Sequence, residues 1–364
     1  MAEHSDLLVI GGGVIGLTTA YFVAREGVRV TVVDQGEMGQ ESSWAGAGIL
    51  PPGNPDQART PLDQLRAQSA RMFPQLSAEL RERTGIDNGY VRSGGLEFVA
   101  GAPEAAEQEW RGEGIVCERL DEPASRALEP ALAAGLGAAF FLPDMAQVRN
   151  PRHVKALVAA CQAAGVRFLP GCPVHRLERA GRQLQGVQTA SGRLHAGRYL
   201  LAAGAWSGLL INDLGLQCGI QPVRGQIVLL STGDSLFHRI LMRGPCYLVP
   251  RPDGRVLLGS TEETVGFRKQ TTAEAVQGLL AFGISLVPAL AAARLERAWS
   301  GLRPGSPDGL PFLGAVPGLD NLFIAAGHFR AGIQLSPATA LVLKELLLGQ
   351  PTTVALTPFR LGRD

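Results

Sequence analysis

Three glycines and one aspartate carry the first chemistry in the chain. Gly11-x-Gly13-x-x-Gly16 follows the apolar run Asp6 to Ile10, and Asp34 stands 23 residues beyond Gly11. A glycine turn between a strand and a helix can hold a pyrophosphate, because its backbone comes close to the ligand and helix N-terminal amides favour negative charge. Gly11 would make the turn, Gly13 would admit the pyrophosphate, and Gly16 would let helix and strand approach. Asp34, followed by Gln35, ends the second strand, where a carboxylate accepts hydrogen bonds from a ribose diol. The set predicts an ADP moiety. It does not separate a nicotinamide from a flavin dinucleotide, and a glycine turn can also simply join packed elements.

The next segment separates them. A nicotinamide domain continues in βα units, whereas here Glu41-Ser42-Ser43-Trp44-Ala45-Gly46-Ala47-Gly48-Ile49-Leu50 follows almost at once. Its small residues would let backbone amides approach a pyrophosphate and an isoalloxazine edge. Read alone it is equally a Gly/Ala loop.

The elements that must position these residues follow from hydrophobic period and punctuation. Val14 to Glu26 has helical spacing and ends at Gly27, and Val28 to Val33 reads as a strand. Leu62 to Thr84 and Pro103 to Gly112 read as helices, and Pro151 opens another at the favoured first position. Strands are predicted at Val166 to Leu169, Val174 to Arg179, Leu184 to Thr189, Tyr199 to Ala203 and Asn321 to Ala326. Tyr247 to Arg251 and Arg255 to Ser260 flank the hairpin turn Pro252-Asp253-Gly254. Ser336-Pro337 predicts the start of a helix that runs to about Leu348. The pattern is that of an α/β protein, a Rossmann-like dinucleotide-binding domain (1–84, 146–215 and 300–364). An interleaved α+β substrate domain (85–145 and 216–299) is expected on an antiparallel sheet.

Composition excludes several classes. With 364 residues, 46% hydrophobic and 18% charged, the chain has the make-up of a two-domain globular protein. A formal net charge of +1 offers no concentrated basic surface for nucleic acid or an anionic membrane. Lys155, Lys269 and Lys344 are the only lysines, an arginine bias of genomic character. Five scattered cysteines with no C-x-x-C pair suggest neither a disulfide framework nor a metal site, and they fit a cytoplasmic setting. No signal peptide and no apolar run of transmembrane length is read in the sequence.

Over about Leu7 to Arg360 the sequence resembles the D-amino-acid oxidase superfamily of flavoproteins, and within it the glycine oxidases of thiamine biosynthesis. The resemblance rests on Val9 to Gly16, the Ser42 to Leu50 loop, Ala203-Gly-Ala-Trp-Ser207, Cys246-Tyr-Leu-Val-Pro-Arg251, Ser300 to Pro311 and Ala326-Gly-His-Phe-Arg-Ala-Gly332. It implies non-covalent FAD, held by Val14, Ile15, Asp34, Gln35, Ser42, Ser43, Ala47, Gly48, Ile49 and Val174. The segment His328, Phe329, Arg330, Ala331, Gly332, Ile333 and Gln334 would pass the flavin's pyrimidine end. A helix starting just beyond could then stabilise negative charge there. No cysteine follows Cys246, so the C-terminal cysteine that tethers FAD in sarcosine oxidases has no counterpart.

By the same resemblance Arg303 would bind a substrate carboxylate through its planar fork, with Tyr247 adding a hydroxyl and Arg330 nearby. Taken singly, Arg303 reads as a salt-bridged surface residue, Tyr247 as strand packing and Arg330 as structural. His328 would position backbone beside FAD, with proton transfer the lesser role. Hydride transfer from an amino acid bound as the neutral amine needs no protein base, in keeping with the absence of a nucleophile, base and acid triad. Glu262, first of two adjacent carboxylates after Thr261, is expected at the pocket mouth, where it would disfavour acidic side chains.

The implied activity converts glycine, sarcosine and small D-amino acids, with oxygen, to a 2-oxo acid, ammonia or amine and hydrogen peroxide. Its implied purpose is to supply thiamine thiazole synthesis. A D-amino-acid or sarcosine dehydrogenase using a quinone or carrier, and a flavin-binding module without catalysis, remain rival readings. A homo-oligomer stays open.

Overall fold

The computed structural model describes residues 5–99 and 101–363. Strand β1 (Ser5–Ile10) leads through the glycine turn into helix α1 (Val14–Ala24) and then strand β2 (Val30–Val33). Helices α2 (Pro61–Thr84) and α3 (Asn150–Ala163) follow, then strands β3 (Arg167–Leu169) and β4 (Ala196–Leu201). The order continues with β5 (Gln221–Ser231), β6 (Cys246–Pro250), β7 (Arg255–Gly259), β8 (Arg294–Gly305), β9 (Phe312–Ala315), β10 (Leu322–Ala326) and helix α4 (Gly332–Leu347).

One six-stranded sheet runs β9, β10, β4, β1, β2, β3, parallel throughout except for β9 against β10. Its central strands are buried on both faces, which explains why β1 reads as a short apolar run; β2, whose sequence from Val28 alternates through Arg29 and Thr31, is buried throughout as well. Helices α1 to α4 cover one face over a core that includes Leu17, Tyr21, Phe73 and Leu157. A small three-stranded sheet, Val174–Ala180, Gln183–Thr189 and Gly192–Leu194, packs on the other.

The second sheet has eight strands, beginning β8, β5, β7, β6 and continuing through Ile240–Arg243, Gly95–Glu97, Ala139–Leu142 and Glu118–Leu120. It is antiparallel apart from the pair Ile240–Arg243 with Gly95–Glu97. Strand β8 passes through position 300 and carries Arg303 as a member of this sheet. The helix Ala273–Leu286 closes its outer face over Leu248, Val256 and Leu258. Its other face, with Ile227 and Tyr247, looks toward the loop around Ala47.

Two sequence expectations need correction. Helix α4 begins at Gly332, four residues before Ser336, so Ser336 and Pro337 lie inside it. Pro337 has no N–H to give the carbonyl of Ile333, and the Ser336 hydroxyl donates to that oxygen instead, at 2.9 Å. The pair that looks like a helix start therefore repairs a helix interior. Gly16, expected at the cofactor, does not border the cavity described below; a side chain there would strike the Gly11 carbonyl, so its role is the packing of α1 on β1.

Candidate active site

The carboxyl ends of β1 and β4 open onto a cavity of about 700 Å³ that extends to the inner face of the eight-stranded sheet. Adjacent strands whose connections leave in opposite directions create such a crevice in open α/β sheets. Apart from Gly16, every cofactor and substrate-binding residue predicted from the sequence borders this one space; Glu262, expected at its mouth, does not line it but pairs with Arg330, which does.

At the β1 end the lining is largely main chain. Gly11 adopts a φ of 112°, and a Cβ there would lie 2.3 Å from the Ala202 carbonyl oxygen, so only glycine fits the turn. The N-terminus of α1 has no side-chain cap from Gly13, and the Val14 amide donates to Ser43 Oγ at 2.9 Å. Ser43 is placed by a short helix, Ser42–Ala45, whose Ser42 hydroxyl donates to the Leu302 carbonyl. Asp34 ends β2 and accepts the amides of Gly12 at 2.7 Å and Gly36 at 2.8 Å. Burial pushes its carboxyl above the usual carboxylate range, against the pull of those amides.

Asn150, which the sequence reading missed, completes this end. It is fully buried, its amide donates to the Ser43 carbonyl at 2.9 Å, and its Oδ1 has no partner. A buried acceptor on a cavity wall calls for a ligand donor. The only sequence signal was a polar residue directly before Pro151. Helix α4 presents Gly332, Ile333 and Gln334 of its first turn to the same cavity, so a second positive helix end faces it. Two helix N-termini, a carboxylate for a diol and an orphaned acceptor fit a dinucleotide.

At the opposite end the lining is side chain. Arg303, on β8, donates from Nη2 to Ser260 Oγ at 2.6 Å and from Nη1 to the Thr261 carbonyl at 3.1 Å. Burial, with Arg330 adding to it, holds this guanidinium below the ordinary arginine range, while Tyr247 and Glu262 favour its charge. Tyr247 on β6 lies across from Gly259 on β7.

Two glycines in the sheet make this arrangement possible, and neither drew attention in the sequence. A Cβ on Gly225 of β5 would come within 2.2 Å of Arg303 Nη1, and one on Gly259 would meet the Tyr247 ring at 2.6 Å. Each functional side chain thus lies flat on bare backbone. Glycine inside a strand is a signal for such close approach, and it can be read from sequence only by asking what would lie on it.

His328 borders the cavity, but its Nε2 sits 3.2 Å from Thr339 Oγ1 inside α4, and burial pushes its pKa down to about 3. It is neutral and engaged, which favours the positioning role over proton transfer. Arg330 borders the cavity at its rim and pairs with Glu262. Arg251, at the end of β6, is buried; it donates to Gln147 Oε1 at 2.6 Å, the Val148 carbonyl at 3.0 Å and the Ala47 carbonyl at 2.7 Å, with its pKa pushed down to about 10 by burial. It fastens the hairpin of the eight-stranded sheet to the loop that lines the β1 end.

The model of the FAD dependent oxidoreductase family, DAO, matches residues 6–346. The chain belongs to that family. It is 38% identical over 356 residues to a glycine oxidase of Pseudomonas putida, covering 97% of each protein. It is 34% identical over 99% of its length to a bifunctional ThiO/ThiG protein of Synechocystis, of which it covers 54%. The solved structure of glycine oxidase from Geobacillus kaustophilus superposes with a TM-score of 0.94 at 34% identity, covering 100% of both chains. This protein is accordingly an FAD-dependent oxidoreductase. Among the described residues no helix of this flavoenzyme is long and apolar enough to cross a membrane.

Proposed function

We propose that the enzyme oxidises glycine and other small amino acids, sarcosine among them, with oxygen to an imine and hydrogen peroxide, water then hydrolysing the imine to a 2-oxo acid and ammonia or amine. The single observation behind this reading is Arg303: a half-buried guanidinium that borders the cavity and has no ion-pair partner among the described residues. A guanidinium carries five N–H donors, and those not engaged by Ser260 and Thr261 are available to a carboxylate. Tyr247 adds its hydroxyl from the adjacent wall. With the carboxylate fixed at this end, the α-carbon is held toward the flavin side of the cavity.

FAD, when bound, accepts the hydride of the α-carbon. The chain's own residues orient the substrate and exclude water, and none is needed as a base, because the substrate enters as its neutral amine and His328 is committed to Thr339. Asp34 would serve the ribose, the α1 amides the pyrophosphate and the first turn of α4 the flavin, with FAD held non-covalently. The names of the relatives, glycine oxidase and ThiO/ThiG, support glycine as substrate and thiamine thiazole synthesis as the destination. The alternating use of the chain supports a division into an FAD-binding and a substrate-binding domain.

The test is a substrate panel on the yellow purified enzyme: kcat/KM by peroxide release for glycine, sarcosine, D-alanine, D-phenylalanine and D-aspartate. Glycine and sarcosine are expected to lead, and acid precipitation is expected to leave intact FAD in solution. Preference for D-phenylalanine would overturn the small-pocket reading. Dye reduction without peroxide would make the enzyme a dehydrogenase.

A further inference from the structure

Thr261 is followed by two carboxylates that the structure sends in opposite directions. Glu263 turns into the protein, where it pairs with the buried Arg224 and accepts from Gln226 Nε2 at 2.8 Å and Thr261 Oγ1 at 2.5 Å. Glu262 turns to the rim and pairs with Arg330, both side chains being about two-fifths exposed, at 43% and 42%. Arg303 senses both members of this pair, Arg330 disfavouring its charge and Glu262 favouring it. The acid-binding end of the cavity therefore has two guanidiniums: Arg303, free of carboxylates, and Arg330, already neutralised.

Glu262 is held at this place by the segment behind it. Lys269 Nζ pairs with Glu41 at 2.9 Å, the Phe267 ring lies 5.4 Å from that of Trp206, and the Ser300 hydroxyl donates to the Lys269 carbonyl at 2.5 Å. Glu41 and Trp206 border the cavity from the nucleotide side, so the segment is a strap across the rim.

We infer that Glu262 is a specificity determinant: by occupying Arg330 it reserves the cavity for substrates with one carboxylate and turns away those with a second. The inference rests on the carboxylate-binding role proposed for Arg303. A second carboxylate would have to displace Glu262 from Arg330 or lie against both, and either is resisted by like charge. Replacing Glu262 with glutamine removes the competitor and leaves Arg330, which borders the same cavity as Arg303, without its carboxylate.

The experiment compares the holoenzyme with Glu262→Gln and with the double variant Glu262→Gln, Arg330→Gln. Acetate and malonate, which cannot be oxidised, are titrated while the visible flavin spectrum reports binding. Glu262→Gln is expected to tighten malonate relative to acetate up to about fivefold, the scale of one freed charge in a partly exposed site. The double variant is expected to lose that gain. Turnover of iminodiacetate relative to glycine should shift the same way. A malonate to acetate ratio unchanged within about twofold in Glu262→Gln, or a gain that survives the removal of Arg330, would overturn the inference. A wild-type enzyme that binds acetate yet fails to oxidise glycine would refute the proposed reaction and leave the binding ratio to decide this point.

Discussion

At the β1 end the wall of the cavity is largely backbone: the Gly11 turn, the start of α1 and the loop through Ala47 and Gly48. At the far end the wall is made by Arg303, Tyr247 and Arg330, three side chains from separate places in the chain, two of them resting on glycines of neighbouring strands. The first surface is made by local sequence, because a turn and the helix after it need only a dozen consecutive residues. The second is made by strand register, because Arg303 reaches Gly225 only when β8 is paired with β5 as observed. A main-chain surface suits the part of a cofactor common to many enzymes, and a side-chain surface suits the substrate that distinguishes one enzyme from the next.

The comparison breaks most visibly at Gly11. Gly11→Ala places a Cβ against the Ala202 carbonyl in a backbone conformation that costs an alanine about 1–3 kcal/mol. The purified variant is expected to be folded by circular dichroism but nearly free of flavin by its ratio of absorbance at 450 to 280 nm. Full FAD occupancy would show that the turn is not what holds the cofactor.

At the side-chain end, Arg303→Ala should keep its FAD and lose turnover. Loss of one partner of a desolvated charge pair costs about 2–5 kcal/mol, which is roughly 30-fold or more in kcat/KM for glycine. Near-normal glycine kinetics would remove Arg303 from the site.

Gly225→Ala sharpens the contrast, since it leaves every charged group in place. Its Cβ must push the guanidinium aside, and overpacking of this kind costs about 1–3 kcal/mol, or near tenfold in kcat/KM, with FAD content unchanged. Wild-type kinetics in this variant would mean that the guanidinium tolerates a shift and that the bare backbone beneath it is incidental.

The same contrast explains what was legible in the sequence. The strand, glycine turn, helix and Asp34 were readable because their physics is local, and the hairpin around Asp253 was readable for the same reason. Arg303, Tyr247 and Arg330 came only through the resemblance, since nothing adjacent to them in the chain marks them as functional. Gly225 and Gly259 were silent because the side chains that need them come from other strands. Asn150 was hidden by the proline after it, and the start of α4 was misplaced because Ser336-Pro337 has the local form of a cap while its helix had already begun.

Arg251 has a consequence for assembly. Its acceptors come from residues 47, 147 and 148, so one cation draws together parts of the chain separated by roughly one hundred and two hundred residues. Until all three are in place the guanidinium must stay in water, for a buried charge without its acceptors is costly. The contact can therefore form only when the hairpin of the eight-stranded sheet meets the segments around residues 47 and 147–148. One guanidinium thus ties the loop at Ala47, on one wall of the cavity, to the strand that carries Tyr247 on another.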